Sequence, residues 1–200
     1  MTDWENKHQI LKNPKTDAYC KFKSFVLSND FPWFYYQHVY ASAWDSHLQG
    51  VVPKDKIRAS DYEDVPFFSH NFLCRPMPET KYPTINSDHL KMAEKVINEI
   101  LDYNKITVNC FFRINANLVF PMEGHKKTIP HIDHYWKHNI FFMYLTDAGG
   151  ETVCVDKNLN EKLIFNPKED SLMLLKATDT LHYHYLAEKK RRVIIQASHI

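Results

Sequence analysis

The sequence predicts a mainly β fold with supporting α-structure, in which a barrel or jelly roll carries an N-terminal α/β region packed on one sheet. Three observations predict it. From about residue 105 the chain is a series of β-rich segments: ITVNCFFRINANLVF, KHNIFFMYLT, ETVCV, EKLIF, SLMLLK, TLHYHY and RRVIIQAS, with a short strand near 129–133 making eight. Short turns (DAGG, DKNLN, NPKED, AEKK) separate most of them, and strands so closely spaced suggest an all-β barrel or jelly roll. Several segments are apolar on both faces, IFFMYL for example, so the sheet they build is covered on its outside.

The cover is expected from a helix over 88–103. Ser87 or Asp88 can cap its start, and Leu90, Ala93, Val96, Ile97 and Ile100 recur at helical spacing on one face. Lys91, Glu94, Lys95 and Glu99 take the other face. Upstream, FPWFYY (31–36) reads as a cluster that packs under a loop or against a sheet; a substrate platform is the alternative. VVPKDK, DVPFF and RPMPETKYP, each broken by proline, read as loops and short extended pieces.

Bulk properties narrow the function. A chain of 200 residues is enough for one domain with a real core, so 1–200 is read as a single unit. The formal net charge of +1 lacks the basic excess of a general nucleic-acid binder, and the run Glu188–Arg192 reads as a solvated turn for its two lysines. Cysteines at 20, 74, 110 and 154 form no CxxC pair and no metal-ligand spacing, which suits free thiols in a reducing compartment. The first residues, MTDWENKHQILKNPK, lack the apolar stretch of a signal peptide, and no segment approaches a membrane span. A cytoplasmic location is expected; oligomeric state is not legible.

Histidine is frequent, at 12 residues, and HIDHYWKH (131–138) concentrates them. HxD alone is a weak motif. In a strand, however, residues two apart share a face, about 7 Å apart by strand rise, so His131 and Asp133 can converge on one ion. TDTLHYHYLAEKKRR supplies His182 or His184 as a third ligand. Two histidines and one carboxylate on one side of a metal leave open positions, the arrangement of non-haem Fe(II) oxygenases.

These residues and those around them resemble the 2-oxoglutarate/Fe(II)-dependent dioxygenases, in the prolyl-4-hydroxylase-like branch. The resemblance covers about 105–200. HID (131–133) looks like the family's HxD, YLT (144–146) like its YLN strand, and GGET (149–152) like its hairpin, which holds two of the four glycines. FNPKEDSLMLL (165–175) is similar to its proline-and-glycine turn, LH (181–182) to the distal histidine, and Arg192 follows ten residues later. Asp170 stands where the family has glycine, the proline usual after the distal histidine is missing, and RINANLVF lacks the common tyrosine.

The resemblance implies a double-stranded β-helix (jelly-roll, cupin-like) core at 105–200, with 1–104 as the supporting and substrate-side region. It implies Fe(II) on His131, Asp133 and His182, 2-oxoglutarate as cosubstrate and O2 as oxidant. The reaction implied is hydroxylation coupled to release of succinate and CO2. Arg192 would hold the far carboxylate of 2-oxoglutarate, helped by Tyr144; Asn115, Asn117 and Arg191 are further candidates. Spacing to Arg192 favours His182 over His184, which is expected in the pocket wall. If Arg192 points inward, so do Ile194, Gln196 and Ser198, leaving Val193, Ile195 and Ala197 for the covered face.

Other readings stay open. His134 and His138, four apart, would suit a zinc hydrolase, but the glutamate of HExxH is missing; a surface or substrate-side position is expected instead. Tyr135 and Trp136 are candidates for the pocket entrance. A non-catalytic cupin-like barrel that binds metal or ligand is the second class. The substrate implied is a prolyl or other residue in a peptide or protein, with a free small molecule as the alternative.

Overall fold

The computed structural model describes residues 4–36, 66–124, 126–134, 136–176, 180–187 and 189–200. Two antiparallel sheets face each other. The larger is built from β1 (His8–Leu11), β2 (Phe34–Tyr36), β3 (Phe67–Cys74), β4 (Thr84–Ile85), β5 (Phe111–Val119), β6 (Asn139–Tyr144), β9 (Leu172–Lys176) and β11 (Arg192–His199). Its order is β1-β9-β6-β11-β5-β3-β2, with β4 paired to β3. The smaller holds β7 (Thr152–Val155), β8 (Glu161–Phe165) and β10 (Leu181–His184) in the order β10-β7-β8.

The segment expected as a strand near 129–133 borders the smaller sheet without becoming a regular strand. It makes bridges only, Lys127 with Tyr185 and His131 with His182. Pro130 lies between them and has no N–H to give a ladder. With this segment counted, the eight barrel segments read from the sequence are all present, each sheet contributing four.

Alternation decides what lies inside. On β6, Ile140, Phe142 and Tyr144 join Cys154, Met173, Leu175 and Ile194 between the sheets. Phe141 and Met143 face outward into a second core with Val193, Ile195 and Ala197 of β11. Both faces are apolar because both are covered, as the doubly apolar strand IFFMYL required. The cover is two helices, α1 (Asp17–Val26) and α2 (Leu90–Tyr103).

Helix α2 buries Leu90, Ala93, Val96, Ile97, Ile100 and Leu101 against the sheet, the face its periodicity predicts. Its start differs from expectation. His89 occupies the N-cap position and no side chain caps the helix. Ser87 Oγ instead accepts the His89 N–H at 3.1 Å and donates to His70 Nε2 at 2.8 Å, because His70 uses Nδ1–H on the Pro32 carbonyl at 2.8 Å. Helix α1, unassigned from the sequence, is capped by Thr16 Oγ1, which accepts the Tyr19 N–H at 3.2 Å. Tyr19, Phe22 and Val26 form its buried stripe.

One loop reading needs correction. DVPFF runs into β3, where FFSHNFLC pairs with β5; Asp64 and Val65 lie outside the described residues, as does VVPKDK. FPWFYY does pack against a sheet, with Phe31 in the core and Phe34–Tyr36 as edge strand β2. Asp170, at the family's glycine position, has φ +66, the left-handed region glycine favours. Its carboxylate compensates by binding Tyr19, Lys15 and Lys23, which ties α1 to the β8–β9 turn. No helix among the described residues is long and apolar enough to cross a membrane.

Candidate metal centre

One backbone bridge brings two candidate ligands together before any metal is considered. His131 N–H donates to the His182 carbonyl at 2.9 Å and His182 N–H returns the bond at 3.0 Å, so the two rings sit 4.5 Å apart. Asp133 faces both. Its Oδ1 is 3.9 Å from His131 Nε2 and its Oδ2 is 3.6 Å from His182 Nε2. Ligand atoms on one ion with bonds of about 2.1 Å at right angles stand about 3 Å apart, so small side-chain movements close the set. Among the described residues this is the group of three histidine, cysteine or acidic side chains that could hold a metal.

The tautomers suit ligation. His131 Nδ1 lies 2.9 Å from the Ile129 carbonyl, and His182 Nδ1 3.3 Å from that of Thr180. A carbonyl oxygen can only accept, so each Nδ1 carries a proton and Nε2 is the ring nitrogen left to face a metal. Burial, reinforced by His182, pushes the His131 pKa down to about 3, which keeps that ring neutral. Burial alone would raise Asp133, but His182, His131 and Arg113 outweigh it and hold the carboxyl below its ordinary range. Gln196 Nε2 donates to Asp133 Oδ2 at 3.0 Å, and Arg113 Nη1 stands 3.6 Å from Oδ1. Two imidazoles with one ionised carboxylate, and no thiolate, form a donor set that fits Fe(II) with positions left open.

His134 and His138 lie beside this centre in a separate aromatic stack. Their rings are 5.0 Å apart, with Phe112 edge-on to His134 at 4.9 Å and Trp136 stacked on it at 4.7 Å. Among the described residues no third ligand joins them. Both are buried, at 2% exposure each, so the expected surface position is corrected to an interior one. Trp136 is 42% exposed at the rim, and Tyr135 lies outside the described residues.

The second cluster surrounds Arg192, which is 6% exposed, whereas Arg191 points to solvent. The Arg192 guanidinium lies 5.3 Å over the Tyr144 ring, and Nη2 is 3.2 Å from His184 Nδ1 and 3.5 Å from Thr152 Oγ1. Arginine only donates, so His184 Nδ1 accepts and the ring is neutral. Burial and the Arg192 charge hold its pKa well below the usual value. Thr152 Oγ1 also meets the buried Tyr144 hydroxyl at 2.7 Å. His184 thus lines the Arg192 pocket wall rather than joining the ligand group. Asn115, fully buried, sits opposite Gln196 and donates to Asn117 Oδ1 at 2.9 Å; Asn117 sits one inward step nearer Arg192, opposite Ile194.

The sequence reading missed Arg113 and gave neither Gln196 nor Thr152 its contact. Alternation along RINAN already placed Arg113 with Asn115 and Asn117. Gly150 of GGET explains itself by contact. Its φ is +77, and a Cβ there would lie 2.7 Å from the Tyr185 carbonyl oxygen and 3.2 Å from Arg192 Cδ. Gly149, at φ +71, meets nothing within 4 Å. Gly149→Ala should therefore cost about 1–2 kcal/mol from backbone strain alone. Gly150→Ala should lower the urea midpoint further and also displace Arg192, so that anion binding there weakens. Equal effects of the two substitutions would refute this account of Gly150.

No protein-family pattern and no curated protein matches the sequence. Solved structures do match in fold. An oxidoreductase of the 2OG-Fe(II) oxygenase family from Burkholderia pseudomallei superposes with TM-score 0.64 at 10% identity, over 98% of this chain and 86% of that one. SnoN, a non-haem α-ketoglutarate-dependent epimerase of nogalamycin biosynthesis, gives TM-score 0.57 at 10% identity, over 98% and 79%. AviO1 from Streptomyces viridochromogenes Tue57 gives 0.53 at 11%, over 96% and 89%. The chain has the double-stranded β-helix fold of the 2OG-Fe(II) oxygenase family, and the His131–Asp133–His182 group lies within it.

Proposed function

We propose that this protein is an Fe(II)- and 2-oxoglutarate-dependent dioxygenase that hydroxylates its substrate and releases succinate and CO2. The observation that carries the reading is the convergence of two imidazoles and one ionised carboxylate, from His131, His182 and Asp133, inside this fold. These three would hold Fe(II). Arg192, fixed by Thr152 and His184 and backed by Tyr144, would hold the far carboxylate of 2-oxoglutarate, since its planar fork matches a carboxylate with two hydrogen bonds. Asn115 and Asn117 lie on the same inner face for lesser contacts.

The metal and cosubstrate supply the oxidising chemistry when bound. The chain keeps the ligand imidazoles in the right tautomer, keeps Asp133 ionised through Gln196 and Arg113, and surrounds the centre with buried side chains that exclude water. No side chain acts as a general base. The HxD-to-arginine motif order supports the prolyl-hydroxylase-like branch, and with it a prolyl or other residue in a peptide or protein as substrate. Residues 1–104 would support the barrel and shape the substrate side. The free cysteines support a cytoplasmic location.

Without air, Fe(II) and 2-oxoglutarate together should give a weak visible charge-transfer band, and aeration should yield succinate. A band without succinate, even with candidate proline-containing peptides present, would favour a non-catalytic metal-binding barrel. Neither band nor succinate would sink the reading. Mass spectrometry of those peptides after incubation, searching for the gain of one oxygen atom, identifies the substrate.

A further inference from the structure

We infer that the substrate presents an oxyanion, a carboxylate or a phosphate, to Arg75 and Arg113 on the side of the centre away from Arg192; this rests on the oxygenase reading above. Register along β11 places the parts. Arg192 faces Val119, Gln196 faces Asn115, and Ser198 faces Arg113. At about 3.3 Å per residue, Arg192 and Ser198 are about 20 Å apart along the strand. Gln196 touches Asp133, so the ligand group lies between two cationic ends. One small anion cannot reach both.

The second cationic end is built from two strands. The register slips between Ser198 and His199, where Phe112 is the extra residue on β5. A bulge of this kind lets successive side chains turn toward one side. Phe112 therefore joins His134, Trp136 and His138 while Arg113 reaches Asp133. Arg75 follows directly on β3, which pairs with β5. It is partly buried and within electrostatic reach of both Arg113 and Asp133.

Leu73 of β3 faces Ile114 of β5, so Arg75 and Arg113 leave neighbouring strands at the same end, and two cations placed so in a partly buried region repel unless an anion lies between them. Among the described residues, the carboxylate that pairs with either is Asp133, 3.6 Å from Arg113. As a metal ligand, Asp133 would give its charge to the ion, and both cations would then face the substrate space. One further group points the same way. Among the described residues, His134 Nε2 is buried and meets no hydrogen-bond partner, and as an N–H it would donate to an oxyanion. Buried polar atoms are nearly always satisfied, so an arriving ligand is the natural partner. The Phe112–Trp136 wall beside it suits an apolar body attached to the anionic end.

The test uses the whole chain loaded with Mn(II), which suits the same ligands, and saturated with 2-oxoglutarate. Inorganic phosphate and, separately, acetate are titrated, and the paramagnetic broadening of the phosphorus or carboxyl-carbon NMR line is followed. Saturable broadening is expected in the unsubstituted protein. It should weaken roughly tenfold or more in Arg75→Gln and in Arg113→Gln, and stay unchanged in Lys91→Gln on the exposed face of α2. The tighter of the two anions names the oxyanion. Broadening that survives both arginine substitutions would overturn the inference, as would broadening abolished by 2-oxoglutarate, which would assign the pair to the cosubstrate. Failure to take up Mn(II) or 2-oxoglutarate, seen before any anion is added, sinks the oxygenase reading and this inference with it.

Discussion

Asp133→Ala is expected to abolish Fe(II) retention and all O2-dependent turnover, while His134→Ala leaves metal affinity within a few-fold. Asp133 is the one anionic donor in the group, and its Oδ atoms stand 3.9 and 3.6 Å from the two imidazole Nε2 atoms. Its loss leaves two imidazole ligands, too few to hold a labile divalent ion. Asp133→Asn separates ligation from folding, because it keeps the shape and loses the charge. Gln196→Leu removes only the hydrogen bond at 3.0 Å to Oδ2 and should cost roughly 10–100-fold in affinity, the usual cost of losing such a supporting contact. Metal affinity measured by titration with Mn(II), alongside succinate formation with Fe(II), reads the series. His134 sits next in sequence but stacks between Phe112 and Trp136, away from the ligand set. Loss of metal in His134→Ala with retention in Asp133→Asn would reverse the assignment and favour zinc on His134 and His138.

The grading of that series reflects what sequence could and could not show. Strand period placed Ile194, Gln196 and Arg192 on one face of β11 and Val193, Ile195 and Ala197 on the other, and the two cores divide in that way. The helix α2 stripe was equally plain, because its burial depends on a spacing visible along the chain. Pairing across strands was not visible. That His131 and His182 exchange both backbone hydrogen bonds depends on register between segments fifty residues apart. Bulges hid more: the extra residue Phe112 turns a side chain to the face that simple alternation denies it. The cap of α2 failed for a related reason, since Ser87 was recruited by His70 from another strand. Asp170 looked like a defect in the glycine turn until Tyr19, Lys15 and Lys23 of the N-terminal segment were seen around its carboxylate.

Arg192→Gln should raise the 2-oxoglutarate concentration for half-saturation by about 100-fold or more, with Fe(II) affinity nearly unchanged. The size follows from two charge-assisted hydrogen bonds, worth about 3 kcal/mol together at the low end, and 1.4 kcal/mol is tenfold. The position makes the effect specific. Arg192 is buried, its Nη2 is held 3.2 Å from His184 Nδ1, and the Gly150 backbone leaves room for its stem. Arg192→Lys keeps a charge but loses the fork, so it should recover part of the affinity and not all. Arg191→Gln, at the exposed residue just before the same strand, should stay within about twofold. Tyr144→Phe removes a buried hydroxyl bonded to Thr152 at 2.7 Å, a neutral contact worth about 1 kcal/mol, and should cost roughly fivefold. Titrating 2-oxoglutarate into the anaerobic Fe(II) protein and reading the visible band measures each variant before turnover begins. Equal losses in Arg191→Gln and Arg192→Gln would mean a general charge effect. A loss confined to Arg191→Gln would place the carboxylate outside the barrel, against the inward run of Arg192, Ile194 and Gln196.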